Sequence, residues 1–356
     1  MRESSLLARF FLAAYVLLVV YATLYPLAGW RDPGGAVLAF LVAPVPRYIT
    51  GFDLGANFLG YLPFGLLCAL AVHPRLAGAA AALAALAGGA ALSISLETAQ
   101  SFLPSRIPSN VDVLANIGGA AAGGLAGARL APWLLGTGPL RRLRATTFLA
   151  GAAADLGLTL IGLWLFAQLN PEMLLFGTGD LRALFAGPAG ERHGAELFAT
   201  VEAATAAANL LALALIASAV AAPGAPIRPF LIALLGAALV VKTLAFAILM
   251  RAEHVFAWLT PGAQLGLAAG TLLMLAAVAL PRNVRLALAA VLLMAATVLV
   301  NLAPTNPYLV ASFKVWEQGH FLNFNGLTHL VSALWPFVAL AYLVWLAAAR
   351  QGGALR

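Results

Sequence analysis

From Leu6 the chain begins a pattern that it keeps almost to its end: stretches of roughly twenty residues with scarcely a charge, separated by short segments that hold nearly all the arginine. A run of that length suits an α-helix crossing ~30 Å of hydrocarbon, whereas a membrane barrel would alternate polar and apolar residues in runs of about ten. Lipid offers no partner to a backbone amide, so such a chain is directed to one architecture, an all-α, polytopic transmembrane helical bundle. About ten spans are expected, near 6–26, 56–72, 77–102, 111–134, 146–168, 196–221, 229–250, 262–280, 284–302 and 328–348. Composition agrees, with 63% of residues hydrophobic and 9% charged, against roughly 25% charged in a soluble domain.

The formal charge of +7 sits mainly on arginine in the connecting segments, where it reports membrane orientation. No basic patch interleaved with aromatics points to nucleic acid. With the N-terminus placed in the cytoplasm, twelve basic residues fall on the inner side and seven on the outer, which favours both termini inside. In that frame the long loops 27–55, 169–195 and 303–327 face outward. The N-terminal run, preceded by Arg2 and Arg9 and closed by Tyr25 and Pro26, is long for a signal peptide and lacks a small-residue cleavage site. It reads as an uncleaved first helix. Cys68 is the single cysteine, so neither an intramolecular disulfide nor a cysteine metal site is available. The basic stretch Gly136 to Arg144 marks the expected boundary: a four-helix membrane domain over 1–135, a cytoplasmic linker over 136–145, and a six-helix domain over 146–356. No internal repeat stands out. Loop 303–327 carries Tyr308, Phe313, Trp316, Phe321 and Phe324, which suits a segment resting in the membrane interface, with a substrate lid as the sharper alternative.

Against this background the stretch from Ser95 to Gly119 is anomalous, because it sets Glu97, Gln100, Arg106, Asp112 and Asn116 around the joint between the third and fourth spans. Ionisable groups within a membrane are costly and mark function by default. Ser93, Glu97 and Gln100 share one helix face. Asp112 and Asn116 share another, continued by Gly119, Gly123 and Gly127, whose small size lets a neighbour approach closely. At the start of the second span Asp53 and Asn57 repeat the spacing, followed by Tyr61 and by Pro63, which removes a ladder bond. Three helix ends thus bring Asp53, Asn57, Glu97, Gln100, Asp112 and Asn116 to one level, with Arg106 on the turn above. Three carboxylates against one guanidinium either raise a carboxyl pKa or attract a cation. The plainer alternatives are that Asp53 and Asp112 are helix caps and that Arg106 is a clamp.

The segments around Tyr21, from Phe52 to Gly65 and from Ser95 to Gly123 together resemble the VanZ family of bacterial membrane proteins. The shared pattern is Asp-x3-Asn before a Pro-Phe-Gly, then Glu-x2-Gln, a loop arginine, and Asp-x3-Asn-x2-Gly. Asp53, Asn57, Pro63, Gly65, Glu97, Gln100, Arg106, Asp112, Asn116 and Gly119 fill it in order. The resemblance covers about the first 135 residues, and the remainder is similar to the extra helical half of some long VanZ-like proteins. It implies a bacterial cytoplasmic (inner) membrane protein that affects susceptibility to teicoplanin-type glycopeptide antibiotics. On this reading Asp53, Asn57, Glu97, Gln100, Arg106, Asp112 and Asn116 form an outward-facing site for a small ligand or a lipid head-group, such as that of a peptidoglycan precursor. No cofactor is expected, and membrane lipid is the expected partner. Two rival readings remain: a membrane enzyme acting on a lipid-linked envelope precursor, with Glu97 and Asp112 as acid and base, and a structural or partner-binding membrane protein. No P-loop, Gly-x-Ser-x-Gly or His-Glu-x-x-His occurs, so the balance leans away from an enzyme.

In the second half Asp155, Glu202 and Lys242 fall inside spans, and Lys242 is expected to meet Asp155 or Glu202 in a charge pair joining helices. His320 and His329 lack an acid at metal-ligand spacing, so zinc is not expected.

Overall fold

A computed structural model describes residues 5–45, 49–182, 194–250, 255–304, 306–308 and 322–351. Among these residues the regular structure is helical throughout, apart from one isolated bridge between Phe148 and Ala221. The chain divides into two compact units, Met1–Thr146 and Thr147–Arg356.

The first unit contains α1 (Leu6–Leu24), α2 (Gly51–Val72), α3 (Ala79–Gln100), α4 (Asn110–Ala131) and the short basic α5 (Pro139–Thr147), which crosses into the next unit by one residue. A π-helical turn, Pro132–Thr137, extends α4 toward α5, so most of the basic stretch expected as a linker is helical. α2 starts at Gly51, several residues before the expected 56, because Thr50 caps it by accepting from the Asp53 N–H at 3.1 Å. Pro63 lies within α2 without ending it.

α2 and α4 pack closely because glycine lines their contact. A Cβ at Gly123 would collide with the Leu62 carbonyl, and one at Gly127 would come within 2.7 Å of the Leu66 carbonyl. The expected inward face of α4 therefore meets α2 backbone to backbone. Tyr61, Phe64, Leu96, Leu103 and Ala120 form the core beside it, with Val19 and Leu24 of α1. The loop after α1 lies over the α3–α4 turn: Arg31 N–H donates to the Phe102 carbonyl at 2.9 Å, and Asn110 Nδ2 to the Ala43 carbonyl at 2.8 Å.

The second unit contains α6 (Ala152–Ala167), α7 (Ala195–Ala219), α8 (Ile227–Leu249), α9 (Pro261–Ala277), α10 (Arg282–Leu302) and α11 (Leu322–Gln351). α7 is its axis, buried on all sides from Asn209 to Val220. Eight of the described helices are long and apolar enough to cross a membrane. The fifth and eighth expected spans instead form α6 and α9, of 16 and 17 residues. α6 begins six residues later than expected because residues 147–149 pair with the end of α7: Leu149 N–H donates to the Val220 carbonyl and Ala222 N–H to the Thr147 carbonyl, both at 2.9 Å. Gly151, at φ +102°, turns the chain into the helix.

The expected outer loop 169–195 also departs from a simple loop. Residues 170–180 have no regular structure, yet Asn170, Leu175, Phe176 and Thr178 are buried. Irregular backbone at such burial needs its carbonyls satisfied, and Lys242 does this by donating from Nζ to the carbonyls of Asn170, at 2.7 Å, and Met173, at 3.1 Å. Lys242 thus serves backbone carbonyls in place of the expected carboxylate pair, although Glu202 and Glu172 lie within electrostatic reach. Glu202 is held by the Thr260 hydroxyl and the Ala263 N–H. Of the aromatic loop 303–327, Phe313, Trp316 and Phe321 lie outside the described residues, while Tyr308 packs edge-on against Phe198 and Phe324 against Phe166.

Candidate functional site

The end of the first unit where α1 and α3 finish and α2 and α4 begin gathers the polar residues of that half. α4 is started by Ser109, whose hydroxyl oxygen accepts from the N–H groups of Val111 at 3.2 Å and Asp112 at 3.4 Å. Ser109 itself donates its backbone N–H to Glu97 Oε2 at 2.8 Å, a contact closed off from solvent. The Glu97 carboxylate, 4% exposed, therefore joins α3 to the entrance of α4. α3 stops at Gln100, so Glu97 stands only one turn, about 5 Å, from the helix end at 1.5 Å per residue.

One turn further into the unit Asn116 Nδ2 donates to Ser93 Oγ at 2.9 Å, bridging the same two helices. The Tyr61 hydroxyl hydrogen-bonds to Ser93 as well, which brings α2 into the network. Asn116 Oδ1 is buried and has no partner among the described residues. On the other side of α4, Asp112 hydrogen-bonds to Asn57 of α2. Asp53 is exposed and accepts from the Thr50 hydroxyl at 2.6 Å. The charges of Glu97 and Asp112 act on one another, as do those of Asp112 and Asp53.

Gln100 and Arg106 face a different task. Gln100 Nε2 donates to the Thr23 carbonyl at 3.0 Å. Arg106 donates from Nε, at 3.1 Å, and Nη2, at 2.6 Å, to the carbonyl of Tyr25. The last carbonyls of a helix have no partner within it and form its negative pole. Two side chains from the α3–α4 joint thus close the end of α1. Half-burial pulls the Arg106 guanidinium below its ordinary pKa and the Glu97 charge opposes that shift; an arginine remains protonated through such a change.

The predicted residues thus fall into two groups, Glu97 and Asn116 between α3 and α4 and Asp53, Asn57 and Asp112 where α2 meets α4, while Gln100 and Arg106 hold the end of α1. The sequence reading missed Ser109 and Thr50. Both were legible as Ser/Thr-x-x-acid spacings, Thr50 to Asp53 and Ser109 to Asp112, which mark helix starts. Among the described residues no three His, Cys, Asp or Glu side chains converge into a metal-holding group. The acids are spread along the helix ends, an arrangement suited to several separate hydrogen bonds.

Residues 11–130 match the family model described as VanZ/LLP1. No curated protein and no solved structure gives a significant match. The matched residues run from the first turns of α1 to the last turn of α4 and take in every polar side chain of this cluster, so the first unit of this multi-pass membrane protein is similar to the VanZ/LLP1 family over nearly all of its length.

Proposed function

We propose that the first unit binds a small ligand or lipid head-group at the outer face of a bacterial cytoplasmic membrane, and that this binding alters susceptibility to glycopeptide-type antibiotics. The observation that supports it best is the buried Glu97 to Ser109 contact, with Asn116 and Ser93 one turn beneath. Small residues already pack α3 against α4, Gly89 on Ala120 and Gly124 on Ala85, so polar groups in the same seam, each costly to desolvate, call for another role. Glu97 and Asp112 supply acceptors, Asn57 and Asn116 fix orientation, and Gln100 and Arg106 hold the wall formed by the end of α1. The outward orientation follows from the arginine distribution, and the antibiotic effect from the activity for which the VanZ family is named.

The test is the glycopeptide susceptibility of a strain lacking the protein, made permeable if it has an outer membrane. It is complemented with wild type or Glu97→Gln at equal membrane levels. Wild type is expected to restore the parental response and Glu97→Gln to lose most of it; equal rescue by the two would remove Glu97 from the function. The enzyme reading draws on the proximity of two carboxylates, Glu97 and Asp112. Turnover of a lipid-linked envelope precursor by the purified protein would favour it.

A further inference from the structure

The end of the first unit opposite the polar cluster has a contrasting make-up. There the start of α1, the end of α2 and the π-helical turn after α4 meet through Ala8, Leu70, Ala71, Ala131, Leu134 and Leu135. Arg9, Arg75, Arg129, Arg141, Arg142 and Arg144 belong to the segments that converge there, and residues 5–12, 66–82 and 124–147 contain no acid. Charge at this end is of one sign. Beyond the turn, α5 stands clear of the core: of its nine residues only Thr147 is buried. Gly138 N–H donates to the Trp133 carbonyl at 2.6 Å, and a Cβ at Gly138 would collide with that carbonyl, so the joint fixes where α5 begins. At about 100° per residue Leu140 and Leu143 share one side of α5, Arg141, Arg142 and Ala145 lie on the other, and Arg144 stands at the border. Leu140 and Leu143 are 55% and 45% exposed, and Trp133 on the turn is 49% exposed. Arg142 is exposed, and so is Arg141, which gives one nitrogen to the Gly136 carbonyl at 2.6 Å. Exposed leucines on one side and arginines on the other suit a helix lying in the membrane interface, a depth that tryptophan also favours.

We propose that α5 and the turn before it bind the net-anionic phospholipid head-groups of the membrane surface, with Leu140, Leu143 and Trp133 seated at the acyl boundary and Arg141, Arg142 and Arg144 at the level of the phosphates. Charge complementarity selects this occupant, because six arginines without an acid repel one another until a negative surface faces them. In the frame set by the arginine distribution this end is cytoplasmic. It lies away from the proposed ligand site and does not depend on what that site binds.

The full-length protein carrying Cys68→Ser would be spin-labelled through Leu140→Cys, Leu143→Cys or Ala145→Cys, each with unchanged elution, and placed in bilayers of phosphatidylcholine alone or mixed with phosphatidylglycerol of matched chains. Collision with oxygen, which concentrates in hydrocarbon, against collision with a water-soluble nickel chelate reports depth. In the mixed bilayers the labels at 140 and 143 are expected below the phosphates and the label at 145 in water. Nickel access at 140 and 143 in both bilayers would leave α5 in solution, as a soluble acidic partner would require, and shielding from both reagents would put it against protein; either result overturns the proposal. Retained lipid gives the charge. Detergent-purified wild type, offered equal amounts of the two lipids, which share a phosphate and differ in net charge, is expected to retain phosphatidylglycerol several-fold over phosphatidylcholine. Each arginine near an anionic surface is worth up to about fivefold, so Arg141→Gln with Arg142→Gln should lower that ratio several-fold, while Arg141→Lys with Arg142→Lys should keep it. An unchanged ratio in the glutamine variant, or an equal fall in the lysine variant, would overturn the proposal.

Discussion

Arg106 shows how one side chain can carry a structural role at a site that looks chemical. Its two contacts to the Tyr25 carbonyl make it the cap of α1, and a lysine cannot present two nitrogens to one oxygen in that fixed fork. Arg106→Lys keeps the charge but loses one of the two bonds, and is therefore expected to destabilise the first unit by about 0.5–1.5 kcal/mol, the net worth of one hydrogen bond, read as a lower unfolding midpoint in detergent. In the second unit Asp180 and Arg182 form an ion pair at 2.6 Å. Burial pushes the Asp180 carboxyl up, and the Arg182 hydrogen bonds and charge more than reverse this, leaving its pKa below the ordinary value. A carboxyl depressed on folding contributes stability that is complete above its unfolded value, near pH 4, and is lost as pH falls through the folded value. Hydrogen exchange around residues 178–182, corrected for intrinsic rate, should rise below roughly pH 4 in wild type and lose that dependence in Asp180→Asn. Asp180 was not singled out in the sequence, whereas Gln100, Arg106 and Lys242 were legible there as polar residues set in an otherwise apolar chain. Their partners were not: the carbonyls of Thr23, Tyr25, Asn170 and Met173 leave no trace in residue identity.

Helix positions were read well where an apolar run ended in a cap or a break and less well where tertiary pairing decided the boundary. α3 and α4 ended within a few residues of expectation. α6 started late because its first residues are taken up by the end of α7, a partner 70 residues away that no local pattern reveals. The irregular segment 170–180 was read as part of an outer loop because it falls between two apolar spans; two of its carbonyls are instead met by Lys242, far away in sequence. That α4 takes a close neighbour along Gly119, Gly123 and Gly127 was legible from their spacing, but not that the neighbour is α2. The contact gives a sharp contrast between two glycines. Gly123→Leu must separate two helix backbones and should destabilise by about 1–3 kcal/mol or more. Gly60→Ala, with open space around its Cβ position, should be neutral or stabilising by up to about 1 kcal/mol. Unfolding midpoints of the two variants, measured in one detergent, provide the comparison.

The two units have separate cores, one built on Tyr61, Phe64 and Leu96 and the other on Trp164, Phe176 and α7. The VanZ/LLP1 match ends within the first. A fragment of residues 1–146 is accordingly expected to insert and fold alone, judged by monodisperse elution and by the same protease-resistant core as in the full chain; degradation on expression would show that the first unit depends on the second. One feature of the second unit bears on the membrane itself. α9 has 17 residues and so rises about 26 Å, less than the ~30 Å of a typical hydrocarbon core. Its Leu265, Leu272 and Leu273 are exposed. If α9 crosses the bilayer, acyl chains lying against those leucines must tilt or compress to meet its ends, and the resulting dimple draws short-chain lipid to one side of the molecule.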